Sequence, residues 1–295
     1  FFFKQKTAYE ITYGDWSSDV CSSDLCHWQP DRPSIMTYCV AMRLNSGLVF
    51  LSDSRTNAGV DHISTVRKMT VFERRGDRVL VLMCAGNLAV TQAVSQLLSE
   101  PSRAENLWNV PSVAKGAELV GEAIREVYRR DGSSMQQFGL DFNCSFVLGG
   151  QIAGEECRLF NIYSAGNFIE AYAENPYFQI GEFKYGKPII DRVVTPETPL
   201  DVAAKCALIS MDSTLRSNIS VGMPLDLLVY ERDSLQVTKY ATVNSDNAYF
   251  NSIRSFWGQE LRKAFPQPVS DRVHDAYFVF SFLRALDQVD ALKSA

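Results

Sequence analysis

The sequence predicts an α+β protein built as a four-layer αββα sandwich, two antiparallel sheets between two layers of helices. Three observations lead there. Short apolar segments come in neighbouring pairs joined by tight polar turns, which pairs strands antiparallel. Two amphipathic helices follow one another as a group, and a third stands between later strands. No internal repeat or low-complexity linker divides the chain, so the layers belong to a single domain.

The elements follow in order from Thr37. The runs "YCVAMRL" and "LVFLS" flank Asn45-Ser46-Gly47, a hairpin signal, and "MTVFERRGDRVLVLMCAG" repeats the device around "RRGD". In "NLAVTQAVSQLLSE" the residues Val90, Ala93, Val94, Leu97 and Leu98 share one helical face, and Pro101 ends the helix. A second helix is expected from about Ser112 to Arg130, with Val113, Ala117, Val120, Ile124 and Val127 as its stripe and Asp131-Gly132 as its stop. Strands return at "CSFVLGGQ", "CRLFNIYS" and "FIEAYAE". Thr198-Pro199 opens the helix "LDVAAKCALISMDSTLRS": the Thr198 hydroxyl is placed to cap it, and Pro199 suits a first turn that needs no backbone donor. "LDLLVYERD" and "LQVTKYATV" supply two late strands and "NAYFNSIRSFWGQELRKAF" a further helix. From about Pro266 the chain reads as a helical extension, packed on the body or on a neighbouring subunit.

Composition narrows the function classes. With 29 basic and 34 acidic side chains the net charge is -5, and no long basic run occurs, so nothing draws the chain to nucleic acid. There is no apolar run long enough to span a membrane. The seven cysteines form no C-x-x-C pair and sit mostly in apolar stretches, which fits buried thiols in the cytoplasm. The three histidines lack zinc-site spacing, so neither a metal nor another cofactor is expected.

Residues 1–36, "FFFKQKTAYEITYGDWSSDVCSSDLCHWQPDRPSIM", show neither sustained periodicity nor the layout of a signal peptide. The string resembles translated sequencing adapter. It is expected to be a disordered, non-native leader, a propeptide being the alternative.

The chemistry centres on Thr37. If Met36 is the initiator, its removal exposes Thr37 as the N-terminus. The hydroxyl then attacks, and the α-amine, with a pKa near 8 in model peptides, takes up the proton. Asp53 ends the strand that pairs with the one Thr37 begins, and Lys68 precedes the next strand. A lysine held by Asp53 beside the nucleophile lowers the pKa of nearby groups. Gly86, between a strand and a helix, is placed to offer a backbone donor to an oxyanion. These four residues are expected to converge on one cleft, with Lys68→Ala removing activity at little cost to the fold. Cys39 and Cys84 are expected to be core residues.

Thr37 together with "FLSDSRT", "RKM" and "CAGNLA" resembles the proteasome β-subunit family of N-terminal-nucleophile hydrolases. The longer stretch "MTYCVAMRLNSGLVFLSDSRTNAGVDHISTVRKM" is closer still to the bacterial proteasome-like proteins called Anbu, the ancestral beta subunit. The resemblance covers the chain from Thr37 onward and is strongest over the first fifty residues. It implies an αββα N-terminal-nucleophile fold, Thr37 as nucleophile, Asp53 and Lys68 as its activating pair, and Gly86 as oxyanion donor. "LRSNISVG" is similar to the family's Arg-Asp-x-x-Ser-Gly stretch and would place Ser220 near the Thr37 amine. There are two departures: Ser217 stands where proteasomes have the acid of that stretch, and Glu182, in "QIGEFKYGKP", where they have a serine. The implied partners are a peptide or unfolded-protein substrate, further copies of the chain as a homo-oligomer, and room for an unknown unfoldase. A small-molecule amidase of the same class, or a structural assembly whose catalysis has lapsed, remain alternatives to a threonine peptidase.

Overall fold

The computed structural model describes residues 37–57 and 63–264. The expected leader and the expected extension from Pro266 lie outside the described residues. Strands β1 (Tyr38–Leu44) and β2 (Gly47–Asp53) form the predicted hairpin, paired from Cys39↔Ser52 to Leu44↔Gly47. Gly47 has φ +147°, and a Cβ there would run into the Tyr230 carbonyl, so the turn accepts only glycine. A short hairpin that the sequence did not announce, β3 (Arg55–Asn57) with β4 (Ile63–Thr65), follows directly. Then come β5 (Met69–Arg74) and β6 (Arg78–Gly86), paired across Arg75-Gly76-Asp77.

Helix α1 (Leu88–Ser99) is capped by the Asn87 side chain, which accepts from the N–H groups of Ala89 and Val90. Helix α2 (Val113–Gln137) is capped by Ser112, whose hydroxyl accepts from Lys115 N–H. The expected stop at Asp131-Gly132 is wrong: α2 runs through it. A helical glycine costs about 1 kcal/mol, and the extra turn offsets this by packing Met135 against the core. The helix ends instead at Gly139, with φ +68°. There Gly139 N–H donates to the Gln136 carbonyl and Leu140 N–H to that of Met135, a Schellman closure.

Strands β7 (Cys144–Ile152), β8 (Arg158–Ile162) and β9 (Phe168–Glu170) extend the β5–β6 pair into one sheet, ordered β5-β6-β7-β8-β9. The chain then returns to the first sheet with β10 (Tyr177–Gly181), which the sequence reading missed: it is a five-residue edge strand between Pro176 and a turn, too short for alternation to show. The seven-residue α3 (Lys187–Val193) escaped for the same reason. Helix α4 (Leu200–Ser217) forms as expected, but Thr198 does not cap it. Its hydroxyl accepts from Thr195 N–H and donates to the Val193 carbonyl, closing the turn between α3 and α4. Strands β11 (Leu225–Glu231) and β12 (Lys239–Val243) complete a sheet ordered β10-β1-β2-β11-β12, and α5 (Ala248–Ala264) follows. Every strand pair is antiparallel.

Three apolar layers hold this arrangement. Helices α1 and α2 close the outer face of the second sheet through Val94, Val120, Ile124 and Phe146. Helices α3 to α5 close the first through Ile190, Ala207, Met211 and Phe250. Between the sheets lie Cys39, Leu48, Phe50, Val81, Met83 and Tyr230. The result is the four-layer α+β sandwich. Truncating a large side chain at the centre of a layer leaves a cavity the rigid sheet cannot close. Phe146→Ala should therefore lower stability by about 3–5 kcal/mol, read as a shift in the urea midpoint; a shift below about 1 kcal/mol would mean the α2 layer repacks.

Candidate active site

Asp53 and Lys68 form the electrostatic centre of the molecule. Lys68 Nζ stands 2.8 Å from Asp53 Oδ1, with side-chain exposures of 6% and 0%. Nζ also donates to the Arg55 carbonyl at 2.6 Å. Asp53 accepts two backbone donors besides: Tyr38 N–H at 3.1 Å on Oδ1 and Gly222 N–H at 3.2 Å on Oδ2. Burial pushes the Asp53 carboxyl above the usual aspartate range, while the Lys68 ammonium and the two N–H groups pull it back. The three donors that meet Asp53, one of them an ammonium, favour its acceptor form, the carboxylate, against the burial.

Local sequence explains the convergence. The β1–β2 hairpin lays the end of β2 beside the start of β1, so Asp53 reaches the amide just after Thr37. Gly222 comes within reach because the Arg55 side chain passes where its Cβ would be, and Arg55 Nη1 ties down the Ile219 carbonyl at 2.7 Å. Lys68 is fixed through its own carbonyl, which accepts from Cys84 N–H at 3.0 Å.

Thr37 is buried and directly precedes β1, which lies between β2 and β10. Its carbonyl accepts from Glu182 N–H at 2.7 Å. Gly181 makes that approach possible: its φ is +84°, and a Cβ would collide with the Thr37 carbonyl. The Glu182 side chain then accepts from Asn218 Nδ2 at 3.0 Å, and Asn218 Oδ1 accepts both the N–H and the hydroxyl of Ser220, at 2.9 and 2.5 Å. Thr37, Glu182, Asn218 and Ser220 thus form one chain of contacts, and Asp53, Lys68, Tyr38 and Gly222 another. Gly86 ends β6 with φ +115°, two residues beyond the Cys84 that bonds to Lys68, and Asn87 caps α1 behind it.

Sequence reasoning missed Asn218, Gly181, Gly222 and Arg55. The Asn-x-Ser spacing of residues 218–220, which suits an Asx turn, was a signal for the first. Cys39 and Cys84 lie against the charge pair, but burial raises both thiols, Cys84 to about 11, so neither is a ready nucleophile. Among the described residues no cluster of His, Cys, Asp or Glu could hold a metal, and no helix is long and apolar enough to cross a membrane.

No protein-family model matches the chain, and no curated protein does. Solved structures do. The chain is 56% identical to Anbu (ancestral beta-subunit) from Yersinia bercovieri, with a TM-score of 0.74 over 78% of this chain and 97% of that one. It is 52% identical to the Anbu complex from Pseudomonas aeruginosa, solved as a helical assembly, with a TM-score of 0.75 over 80% and 100%. A Gly-1 mutant of Anbu from Hyphomicrobium sp. strain MC1 is 50% identical, with a TM-score of 0.73 over 78% and 97%.

The burial of Lys68 revises one expectation. Lys68→Ala would strand the Asp53 carboxylate without its cation, so it should cost about 3–5 kcal/mol of stability at neutral pH besides any activity. The sign follows from the raised Asp53 pKa: the folded state holds its proton more tightly than the unfolded chain. Stability of the variant should fall as pH rises through that raised value and recover below it. Thermal denaturation across pH checks this; a variant as stable as the parent at neutral pH would mean that Asp53 finds another partner.

Proposed function

The chain belongs to the Anbu family of proteasome-like proteins, and from that premise we propose that it is a threonine-type peptidase acting within a homo-oligomer. The carrying observation is the buried Asp53–Lys68 pair hydrogen-bonded to the residue next to Thr37. A buried ion pair seldom adds stability over an apolar pair of the same size, and its position against Thr37 gives it a chemical use. The helical assembly of the Pseudomonas aeruginosa relative supports oligomerisation.

In the proposed reaction Thr37 stands at the N-terminus. Its Oγ1 attacks the carbonyl carbon of the scissile peptide while the proton passes to its own α-amine. The Lys68 ammonium holds that amine below its usual pKa, and Asp53 keeps Lys68 in place. The Gly86 N–H receives the negative charge that develops on the carbonyl oxygen. The amine returns the proton to the leaving nitrogen, the C–N bond breaks, and an ester joins Thr37 to the acyl half. Water then attacks that ester, its proton going to the amine and back to Oγ1 as the acid product leaves. Ser220 accepts a hydrogen bond from the amine and orients it.

In the chain as given, the Thr37 nitrogen is an amide bonded to Met36 and carries no basic lone pair. Removal of the residues before Thr37 is therefore part of the proposal. The remaining chain contains every described residue.

A form beginning at Met36 should lose that methionine and bind one β-lactone per chain, read by intact mass. The full 295-residue chain and Thr37→Ala should bind none. Equal labelling of the untrimmed chain would rule out the N-terminal mechanism, and turnover of small amides but not peptides would favour the amidase.

A further inference from the structure

Asn218 is the point at which the segments around Thr37 are joined. It follows the last residue of α4 and leaves the helix at φ -136°. Its Oδ1 takes both protons that Ser220 offers, and its Nδ2 donates to Glu182, whose backbone N–H clamps the Thr37 carbonyl. A primary amide has one accepting and one donating end. Turned over, it would set Nδ2 against Ser220 N–H and Oδ1 against the Glu182 carboxylate, so these contacts fix its orientation.

We propose that Asn218 is a positioning residue for the Thr37 amine, an inference that rests on the threonine mechanism above. It acts on both neighbours. The Ser220 proton is committed to Asn218, which leaves only lone pairs for the hydroxyl to present to the amine. The Glu182 carboxylate is held by a neutral donor, with the Lys184 ammonium 3.5 Å away on its other oxygen. A carboxylate in place of the Asn218 amide would face that of Glu182 at hydrogen-bond range, where like charges cannot both ionise without a large penalty. The amide gives Ser220 the same acceptor and offers Glu182 a hydrogen bond in place of that repulsion.

Asn218→Asp tests this, because it preserves shape and the acceptor toward Ser220 but sets a carboxylate against Glu182. Such a pair shares one proton at low pH and repels once that proton leaves. In the form beginning at Thr37, the parent's rate of β-lactone labelling should rise with pH as the amine deprotonates. N218D should gain a descending limb and label about tenfold more slowly at mildly alkaline pH, the size of a one-unit pKa shift. Adding Glu182→Gln returns a neutral amide to the pair from the opposite side. It should abolish the descending limb and recover most of the rate, whereas a general folding defect from the aspartate would persist. A parent-like pH profile in N218D, or a loss that Glu182→Gln does not relieve, overturns the role of Asn218 and leaves the threonine mechanism standing. Absence of labelling in the parent overturns both.

Discussion

A carboxylate with no exposed surface and an ammonium almost as deeply buried are the costliest groups in this fold. Each loses several kcal/mol of hydration, which their mutual attraction repays only with good geometry and further hydrogen bonds. Asp53 obtains those bonds from Tyr38 and Gly222, and Lys68 obtains one from the Arg55 carbonyl. Four separate segments must therefore arrive at one point: the start of β1, the end of β2, the approach to β5 and the loop before β11. Much of the local detail follows from that demand. Gly222 leaves room for Arg55, Arg55 secures the loop through Ile219, and the short β3–β4 hairpin begins at Arg55.

Thr37 is placed by the same logic from the opposite side. As the proposed chain end, Thr37 would fray without support, since fixing one residue costs about 1–2 kcal/mol in backbone entropy. Here β1 is not an edge strand. β2 pairs with it on one side and β10 on the other, and the Glu182 N–H extends the β10 pairing past Gly181 to the Thr37 carbonyl. The strand that the sequence reading missed, β10, thus has a specific task, to hold the Thr37 backbone through its carbonyl.

Most of the fold was legible because its long elements carry strong periodicity. The hairpins at Asn45-Ser46-Gly47 and "RRGD", the apolar face of α1 and the run of α4 could each be read from residues alone. What failed were short elements and their ends. β10 and α3 have five and seven residues, too few for a pattern to separate from chance. Gly132 resembles a stop signal, yet the packing of Met135 carries α2 past it. Thr198 is a good cap by type, but a nearer backbone donor, Thr195 N–H, claims its hydroxyl. In the candidate site, Thr37, Asp53, Lys68 and Gly86 were readable as residue types in order, and Ser220 through the family resemblance of its stretch. Asn218 was not, because its importance lies in contacts with residues 36 positions back and two ahead, and no spacing rule encodes the former.

The two halves of the site belong to different sheets, which makes the layer between the sheets the element that sets their separation. Thr37, Asp53 and Glu182 lie at strand ends of the first sheet, whereas Lys68 and Gly86 flank β5 and β6 of the second. Cys39 Sγ approaches the Cys84 carbonyl at 3.8 Å, and the Cys84 N–H holds Lys68, so the register across the gap passes through small side chains near the charge pair. Farther along, Gly149 makes room for the Phe50 ring, and a Cβ there would also press on Leu159. Close-packed interiors transmit such strain rather than absorb it. A bulky group anywhere in this layer would spread the sheets, and an ion pair that is favourable at 2.8 Å would be pulled apart where there is no water to screen either charge. The core between the sheets is therefore as much a part of the site as the residues that touch the threonine.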